Sequence, residues 1–434
     1  GLGDVYKRQA EYHTVCFLKY LPIMVSVLPF LVKEENISVT KTSNIIDKVE
    51  NNIIHTYNRY QIALDEGEGM YLYDVEGKKY LDFGSGIGVF ALGYGNKEYN
   101  DAVKAQVDKL IHTSNYFYNE PSALASEKFI KASGMTKVFY TNSGAEAVEG
   151  ALKLAKKYGK MTKGDNCYEI IAMNKSFHGR TIGAVSVTGN EHYRESFEPL
   201  LPGVKFADYN NLESVKALIS DRTCAVIMET IQGEGGVTPA TEEFVKGIRT
   251  LCDENNILMI ADEIQCGMGR SGYMFAYQRF GILPDIVTSA KALGCGVPIG
   301  AFAAGSKVCD VLCAGDHGTT YGGNPLACAA SLAVFNLFEK NNLLENVVEV
   351  GAYLYKRLDE IKAMCPSITD HRGIGFMQGL EYDHPVSGII QKLLDAGLIV
   401  FSAGPNVIRF LPPLIATMKD VDDMINILKE WAIE

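Results

Sequence analysis

The chain has 434 residues, of which 47% are hydrophobic and 21% charged, and its formal net charge is −11. This composition is typical of a globular protein, and the length suits two or three domains, or a large domain with a smaller appendage. The net acidity and the lack of any run of five or more basic residues argue against a nucleic-acid partner.

The cysteines and histidines give no sign of a disulfide framework or of a metal centre. The ten cysteines are dispersed without a C-x-x-C motif, which indicates unpaired thiols in a reducing compartment and therefore a cytoplasmic location. The eight histidines form neither an H-E-x-x-H motif nor a pair four residues apart. We therefore predict no metal ligands.

Residues 1–36 are set apart from the rest of the chain. The apolar stretch 17–32 has only 16 residues and is interrupted by Lys19, Pro22 and Pro29, so it is short for a membrane span. It also lacks the small-residue cleavage site of a signal peptide. We interpret residues 1–36 as an N-terminal extension, either a leader or an artefact, and expect no contact with a membrane.

The segment that follows predicts alternating strands and helices. Residues 70–83 contain two short strand-like runs separated by Glu76 and Gly77. Further on, short apolar runs alternate with amphipathic stretches, which is typical of parallel strands joined by crossover helices. Strands are predicted at residues 137–141, 169–173, 225–229, 258–262 and 285–290, and helices at 145–158 and 242–255.

The pattern changes after Pro325. Long helices at 326–339 and 343–363 precede short strands near 375–382 and 407–411. The whole order predicts an α/β fold with a mostly parallel central sheet flanked by helices, and a smaller α+β domain. We expect residues 93–322 to form the large domain, and residues 37–92 and 323–434 to form the N-terminal and C-terminal parts of the small domain.

Polar residues follow the predicted strands, at the edge where open parallel sheets bind ligands. Ser143, Gly144 and Ala145 connect the first of these strands directly to a helix, whose free N–H groups and dipole suit a phosphate. The alternative is an ordinary helix cap, which this short pattern taken alone favours.

Two more strands end beside candidate ligand groups. Phe177 and Arg180 follow the second strand, where an aromatic ring is suited to stacking and an arginine to binding a carboxylate. The third strand ends at Glu229 and leads into a glycine-rich loop that carries Glu234. Taken singly, Phe177 and its neighbour His178 are more often packing residues, Arg180 is more often a surface charge, and the glycine-rich loop is an ordinary turn.

Asp262 ends the fourth strand and Lys291 follows the fifth. The carboxylate is either a helix cap or a fixed negative charge that faces a cationic ligand atom. Burial lowers the pKa of a lysine and makes its amine nucleophilic, as Schiff-base chemistry requires. A phosphate site, a stacking ring, a fixed carboxylate and a strand-end lysine together match the requirements of pyridoxal phosphate.

A competing nucleotide-binding interpretation rests on Gly86, Gly88 and Ala91, which follow residues 80–83. Such a site needs an acidic residue at the end of a second strand about twenty residues later. Here Asp101 and Asp108 lie in a helical stretch instead, so we reject this interpretation.

Seven motifs carry a resemblance to a known family. They are residues 142–147 (NSGAEA), 177–181 (FHGRT), 232–236 (QGEGG), 261–265 (ADEIQ), 290–294 (AKALG), 317–325 (HGTTYGGNP) and 406–414 (NVIRFLPPL). With these motifs the chain resembles the class III pyridoxal-phosphate aminotransferases of fold type I, and within them the acetylornithine aminotransferases. The resemblance extends from about residue 57 to residue 428.

The resemblance implies pyridoxal 5'-phosphate as cofactor and assigns it contacts on this chain. Lys291 is expected to form the Schiff base and to move the proton, while Asp262 pairs with the pyridine nitrogen. Gln265 is expected to reach the ring hydroxyl, and Phe177 to stack on the ring.

The phosphate contacts implied by the resemblance involve two subunits. Ser143, Gly144 and Ala145 are expected to hold the phosphate together with Thr320 of the neighbouring subunit. The resemblance therefore implies a homodimer.

The family's substrate contacts also map onto this sequence. Arg409 resembles the arginine that binds the α-carboxylate of glutamate and 2-oxoglutarate. Arg180 resembles the one that binds the distal carboxylate of those substrates or the α-carboxylate of an ω-amino substrate. Glu234 is similar to the carboxylate that neutralises Arg409 when an ω-amino donor is bound. Glu229 and Tyr57 are further expected substrate contacts.

The implied reaction is transfer of an amino group from N-acetylornithine to 2-oxoglutarate, a step of arginine biosynthesis that yields N-acetylglutamate semialdehyde and glutamate. Ornithine, 4-aminobutyrate and lysine-type amines are alternative donors, because one methylene gives only about 1–3 kcal/mol of discrimination. Ile87 stands where ornithine aminotransferases typically have an aromatic residue, which favours a donor without a free α-amine. A pyridoxal-phosphate mutase or decarboxylase is a remote alternative. It is remote because neither enzyme needs both Arg180 and Arg409 to bind a dicarboxylate.

Overall fold

The computed structural model describes residues 40–433, so the apolar stretch 17–32 lies outside the described residues. The chain divides into two units, residues 1–61 and 62–434. The described part of the first unit contains helix α1 (Lys41–Asn52), which begins where the Thr40 side chain accepts a hydrogen bond from the Ser43 N–H at 3.1 Å. Within residues 40–433, no helix is both long and apolar enough to cross a membrane.

The unit from residue 62 onward combines helices and strands. Its helices are α2 (Ser85–Gly88), α3 (Lys97–Lys109), α4 (Glu120–Ser133), α5 (Gly144–Lys163), α6 (Ile182–Ser186), α7 (Leu212–Leu218), α8 (Glu242–Glu254), α9 (Pro325–Lys340), α10 (Leu343–Met364), α11 (Ser387–Asp395) and α12 (Met418–Trp431). Its strands are β1 (Leu64–Glu68), β2 (Tyr71–Asp74), β3 (Lys79–Asp82), β4 (Lys137–Thr141), β5 (Glu169–Met173), β6 (Val204–Ala207), β7 (Thr223–Glu229), β8 (Ile231–Gln232), β9 (Thr238–Pro239), β10 (Leu258–Asp262), β11 (Ile286–Ser289), β12 (Gly300–Ala304), β13 (Ile368–Ile374), β14 (Met377–Tyr382), β15 (Leu398–Ile399), β16 (Phe401–Ser402) and β17 (Val407–Phe410).

The central sheet has seven strands in the order β4-β12-β11-β10-β7-β5-β6. β10 pairs in parallel with β7 and β11, and β5 pairs in parallel with β7 and β6. β12 runs antiparallel to both of its neighbours, β11 and β4. The mostly parallel sheet is therefore confirmed, and the five predicted strands agree with β4, β5, β7, β10 and β11 to within two residues.

Two strands of this sheet, β6 and β12, are missing from the sequence prediction. β12 is the sequence Gly-Ala-Phe-Ala-Ala, which lacks the β-branched residues that indicate a strand. Close packing explains its small residues, because a Cβ at Gly300 would lie 2.2 Å from the Ser143 carbonyl oxygen. Its Phe302 ring packs against Gly150 of α5, where a Cβ would lie 2.2 Å from the ring. Tertiary packing, and not strand propensity, selects these residues.

Helix α5 begins at the carboxyl end of β4. The Ser143 hydroxyl caps it by accepting a hydrogen bond from the Glu146 N–H at 3.2 Å, and an apolar face packs on the central sheet. The helix ends at Lys163, beyond the predicted end at Tyr158. The prediction was too short because the last turn is largely polar and carries no periodic apolar signal. The helices predicted at 242–255, 326–339 and 343–363 are confirmed as α8, α9 and α10.

Two further sheets have four strands each. One has the order β1-β2-β3-β15, in which β3 pairs in parallel with the C-terminal strand β15, and the other has the order β13-β14-β17-β16. The strand pair predicted at 70–83 is thus confirmed as β2 and β3, and it pairs with a C-terminal strand. The domain boundaries at residues 37–92, 93–322 and 323–434 stay a prediction.

A buried polar junction fixes the end of β17. Asp82 and Arg270 are both buried and interact electrostatically. The Arg270 guanidinium donates a hydrogen bond to the Pro412 carbonyl oxygen, and the Ser85 hydroxyl donates one to the Leu411 carbonyl oxygen at 2.6 Å. Because the two carbonyl groups directly follow β17, these bonds hold the carboxyl end of that strand against the turn after β3.

Candidate active site

The carboxyl ends of the parallel strands surround a cavity of about 410 Å³. This is the position at which open α/β sheets bind their ligands. Nine residues predicted from the sequence line it: Ser143, Gly144, Ala145, Phe177, Arg180, Glu229, Asp262, Gln265 and Lys291. The fold therefore gathers candidates that come from five separate strand ends.

The start of α5 forms one wall of the cavity. The first N–H groups of a helix have no partner within the helix, and they carry the positive end of its dipole. Close packing requires glycine at two positions here: a Cβ at Gly144 would lie 2.9 Å from the Ile264 side chain, and one at Gly179 would lie 2.9 Å from Ala145. Ser143 does cap the helix, and the cap leaves the other first-turn N–H groups available to an anion.

Asp262 lies at the back of the cavity and is buried. One of its oxygens accepts hydrogen bonds from the Thr288 hydroxyl at 3.0 Å and from the Ile264 N–H at 3.1 Å, and the other lies 2.6 Å from His178 Nδ1. These contacts fix a carboxylate with one edge toward the cavity.

His178 is a site residue that the sequence analysis assigned to packing. Burial lowers the pKa of this imidazole, but the hydrogen bond and charge of Asp262 and the charge of Glu229 together raise it above its usual value. The buried Nε2 atom has no hydrogen-bond partner among residues 40–433. Only the position of His178 in the motif after β5 could have indicated its role, because a single histidine taken alone is more often a core residue.

Lys291 opens a short 3-10 helix directly after β11. Its backbone has φ 50°, a left-handed conformation that is costly for any residue with a side chain, and such strain is concentrated at functional sites. Burial lowers the pKa of its amine to about 8, and the positive charge of Arg409 acts in the same direction. About a tenth of this amine is therefore uncharged at pH 7, far more than for a lysine of ordinary pKa, which suits a nucleophile or a base.

Arg409 of β17 lies beside the cavity and is only 2% exposed. One guanidinium nitrogen donates to Glu234 Oε1 at 2.5 Å and to Gln265 Oε1 at 2.8 Å. Burial raises the pKa of Glu234, but the charge of Arg409 outweighs it and lowers the pKa below the usual value. The structure thus brings Glu234, Arg409 and Gln265 into one hydrogen-bonded group.

Arg180 lies on the exposed side of the same cavity. Its guanidinium carbon is 3.8 Å from the centre of the Tyr193 ring and 5.5 Å from that of Phe177. The Tyr193 and Phe177 rings meet edge to face, with centres 5.9 Å apart. Tyr193 is a second residue that sequence reasoning missed, because it ends a short 3-10 helix (Glu191–Tyr193) outside the recognised motifs. It holds the guanidinium by a cation–π contact.

Glu229, at the carboxyl end of β7, is 5% exposed. Its two oxygens accept hydrogen bonds from the Phe177 N–H at 3.0 Å and the Gly233 N–H at 2.9 Å. Burial raises the pKa of its carboxyl group to about 7, although the charge of His178 opposes the rise. Its predicted contact with substrate stays a prediction.

Two predicted residues lie outside this group. The Thr320 side chain is exposed and does not line the cavity. Tyr57 belongs to the unit of residues 1–61, where its ring centre is 5.7 Å from the Arg59 guanidinium carbon. The contacts expected of Thr320 and Tyr57 stay predictions.

Comparison with known proteins decides the family. The family model described as aminotransferase class-III matches residues 53–431. The chain belongs to the class-III aminotransferases. Among curated relatives in this family, the acetylornithine aminotransferase of Clostridium acetobutylicum is 48% identical over 379 residues, which are 87% of this chain and 98% of the relative. The corresponding protein of Methanocaldococcus jannaschii is 43% identical over 387 residues, with 89% and 97% of the two chains covered.

Solved structures of class-III aminotransferases share the fold. The ornithine aminotransferase of Toxoplasma gondii ME49 superposes with a TM-score of 0.87 at 30% identity, over 91% of this chain and 96% of its own. The acetylornithine aminotransferase of Elizabethkingia anophelis does so with a TM-score of 0.80 at 32% identity, over 90% and 98%. The predicted fold type I architecture is therefore confirmed.

As a class-III aminotransferase, this protein is a transaminase whose cofactor is pyridoxal 5'-phosphate. The cavity fits that group, because a helix N terminus made of small residues, a buried carboxylate and a lysine of lowered pKa converge on it. Bound in this class of enzyme, the cofactor supplies an electron-accepting ring that stabilises negative charge on the reacting carbon.

Proposed function

We propose that this enzyme is an ω-aminotransferase that transfers the terminal amino group of N-acetylornithine to 2-oxoglutarate. The observation that supports it most is the buried Arg409, held by Glu234 and Gln265 while its charge acts on Lys291. Such an enzyme binds an ω-amine and a dicarboxylate in turn. An arginine suits both substrates when a carboxylate neutralises it while the ω-amine is bound and releases it while the dicarboxylate is bound.

The proposed cofactor contacts follow from the walls of the cavity. Ser143, Gly144 and Ala145 offer the phosphate a helix N terminus, and Phe177 offers the ring a flat apolar surface. Asp262, oriented by its hydrogen bonds, is placed to keep the pyridine nitrogen protonated.

Lys291 has two proposed tasks. Its uncharged amine would hold the cofactor covalently, and after the substrate amine has taken its place it would accept the proton from the substrate carbon that bears that amine. A pKa of about 8 suits this second task, because a base works best when its pKa lies near the working pH.

The charges around the cavity favour a donor whose α-nitrogen is acylated. A free α-ammonium group needs a carboxylate partner when it leaves water. Asp262, Glu229 and Glu234 already have hydrogen-bond partners of their own. Acetylation removes that positive charge, which agrees with the similarity of this chain to acetylornithine aminotransferases at 43–48% identity.

The test is the visible absorption of the bound cofactor after one donor is added without an acceptor. We expect N-acetylornithine to remove the absorption rapidly, and ornithine, 4-aminobutyrate and lysine to remove it at least about tenfold more slowly. A faster reaction with free ornithine would contradict the donor assignment and leave the aminotransferase class intact.

We also propose that the working unit is a homodimer in which Thr320 completes the phosphate site of the partner. The Asn115 amide donates to the carbonyl oxygens of Thr319 and Gly322 at 3.1 and 2.9 Å, so two loops meet beside Thr320. They carry four exposed aromatic side chains: Tyr116, Phe117, Tyr118 and Tyr321. An exposed apolar patch of this kind is typical of a protein interface.

Hybrid dimers test the position of Thr320. Lys291→Ala and Thr320→Ala chains are each expected to have low activity, but co-expression of the two should restore activity in the hybrid. One of its two sites then has both Lys291 and the partner's Thr320. Each parent variant expressed alone is the control. If the hybrid stays as inactive as the parents, Thr320 does not act across an interface.

The chemistry also suggests a location. We propose that the enzyme works in the cytoplasm, in arginine biosynthesis. The nine cysteines within residues 40–433 are free thiols, which suits a reducing compartment.

A further inference from the structure

Glu229 occupies a position at which a carboxylate is costly. It ends β7, directly beside Asp262 at the end of β10 in the parallel register. Every residue of β7 is buried. An ionised carboxyl group there requires close partners to compensate for the loss of water.

Its partners are the backbones of two different loops. One oxygen binds the N–H of Phe177, in the loop after β5, and the other binds the N–H of Gly233, in the loop after β8. The first loop carries the ring proposed to stack on the cofactor, and the second continues directly into Glu234. A single rigid carboxylate therefore connects both loops.

The second loop also contacts Gln265. A Cβ at Gly233 would lie 2.3 Å from Gln265 Oε1, so the amide lies directly against the Gly233 backbone. The same amide accepts a hydrogen bond from Arg409 at 2.8 Å and donates one to Glu234 at 3.3 Å. A shift of Gly233 therefore displaces the group that faces Arg409.

We propose that Glu229 is a positioning residue that sets the Phe177 loop and the Glu234 loop relative to each other and so aligns Glu234 with Arg409. Its effect on the two half-reactions rests on the proposed ω-aminotransferase function. Its effect on cofactor retention does not.

Glu229→Gln tests the proposal at constant side-chain size. The amide has one acceptor oxygen and an NH₂ group that cannot accept, so one backbone N–H loses its partner. We expect pyridoxal phosphate to leave the holoenzyme about tenfold faster. The half-reaction with N-acetylornithine should slow severalfold more than that with glutamate, because the ω-amine needs Arg409 covered by Glu234.

Glu263→Gln is the matched control. Glu263 is likewise buried with its pKa raised to about 7, and its oxygens accept from the Thr230 hydroxyl and from the N–H groups of Ala276 and Tyr277. Two of those groups, the N–H groups of Ala276 and Tyr277, belong to a 3-10 helix at residues 276–280, and neither Glu263 nor Thr230 lines the cavity. We expect this variant to lose thermal stability as Glu229→Gln does, with cofactor release and the ratio of half-reactions unchanged. The same changes in both variants would overturn the proposal.

Glu229→Asp separates charge from position. Aspartate keeps the negative charge but is one methylene shorter, so it cannot reach both N–H groups, and we expect the defect of Glu229→Gln. Wild-type behaviour of Glu229→Asp would show that charge alone matters and would overturn the proposal. If the wild type retains cofactor but reacts with no ω-amine, the proposed function fails while the cofactor-release comparison still tests Glu229.

Discussion

Replacing Lys291 with alanine is expected to lower transamination by roughly 10⁴-fold or more while the fold is retained. The variant loses both the amine that attaches the cofactor and the base that moves the substrate proton. The fold is retained because the side chain ends in the cavity, and because alanine at φ 50° has the same steric cost as lysine.

Single-turnover rates and circular dichroism check this result. Lys175→Ala, which removes an exposed lysine that does not line this cavity, is the matched control. Added methylamine should restore part of the rate, since a small free amine can take the vacated position. In the wild type, uptake of pyridoxal phosphate by cofactor-free protein should rise with pH with a midpoint at about pH 8, as the amine loses its proton. Normal turnover in the alanine variant would disprove the assignment.

Arg409→Ala is expected to have a large and uneven effect on the two half-reactions. We expect kcat/KM for glutamate to fall on the order of 10²-fold or more, because a buried charge partner of a carboxylate typically contributes 2–5 kcal/mol. The kcat/KM of the ω-amine half-reaction should fall by less than about tenfold, because in that half-reaction Arg409 is neutralised by Glu234 and does not bind the substrate. Loss of the guanidinium also leaves Glu234 without its closest cation.

Both half-reactions are followed by the absorption of the bound cofactor with one substrate at a time. Arg409→Lys keeps the charge without the planar pair of donors, so an intermediate loss with glutamate is expected. Equal losses with glutamate and N-acetylornithine in the alanine variant would show that Arg409 does not distinguish the two substrates.

Much of the fold could be predicted because its signals are local. β5 and β10 are short and largely apolar runs, and α8 has a strong apolar face of helical period, so run length and period together indicate which is strand and which is helix. β12 could not be predicted, because its Gly300 and Phe302 pack against Ser143 and Gly150, which lie more than 140 residues earlier in the chain.

The candidate site divides in the same way. The sequence was enough to predict that Ser143, Asp262 and Lys291 lie at one edge of the sheet. The reason is that the carboxyl ends of buried parallel strands all reach the same edge. The sequence alone also carried the resemblance that the family comparison confirmed.

Only the tertiary structure decided which groups support these residues. His178 contacts Asp262 across 84 positions of the chain, and Glu229 binds the Phe177 N–H across 52. Hydrogen bonds of this kind depend on where separate loops meet in space, and no local period or motif encodes that meeting.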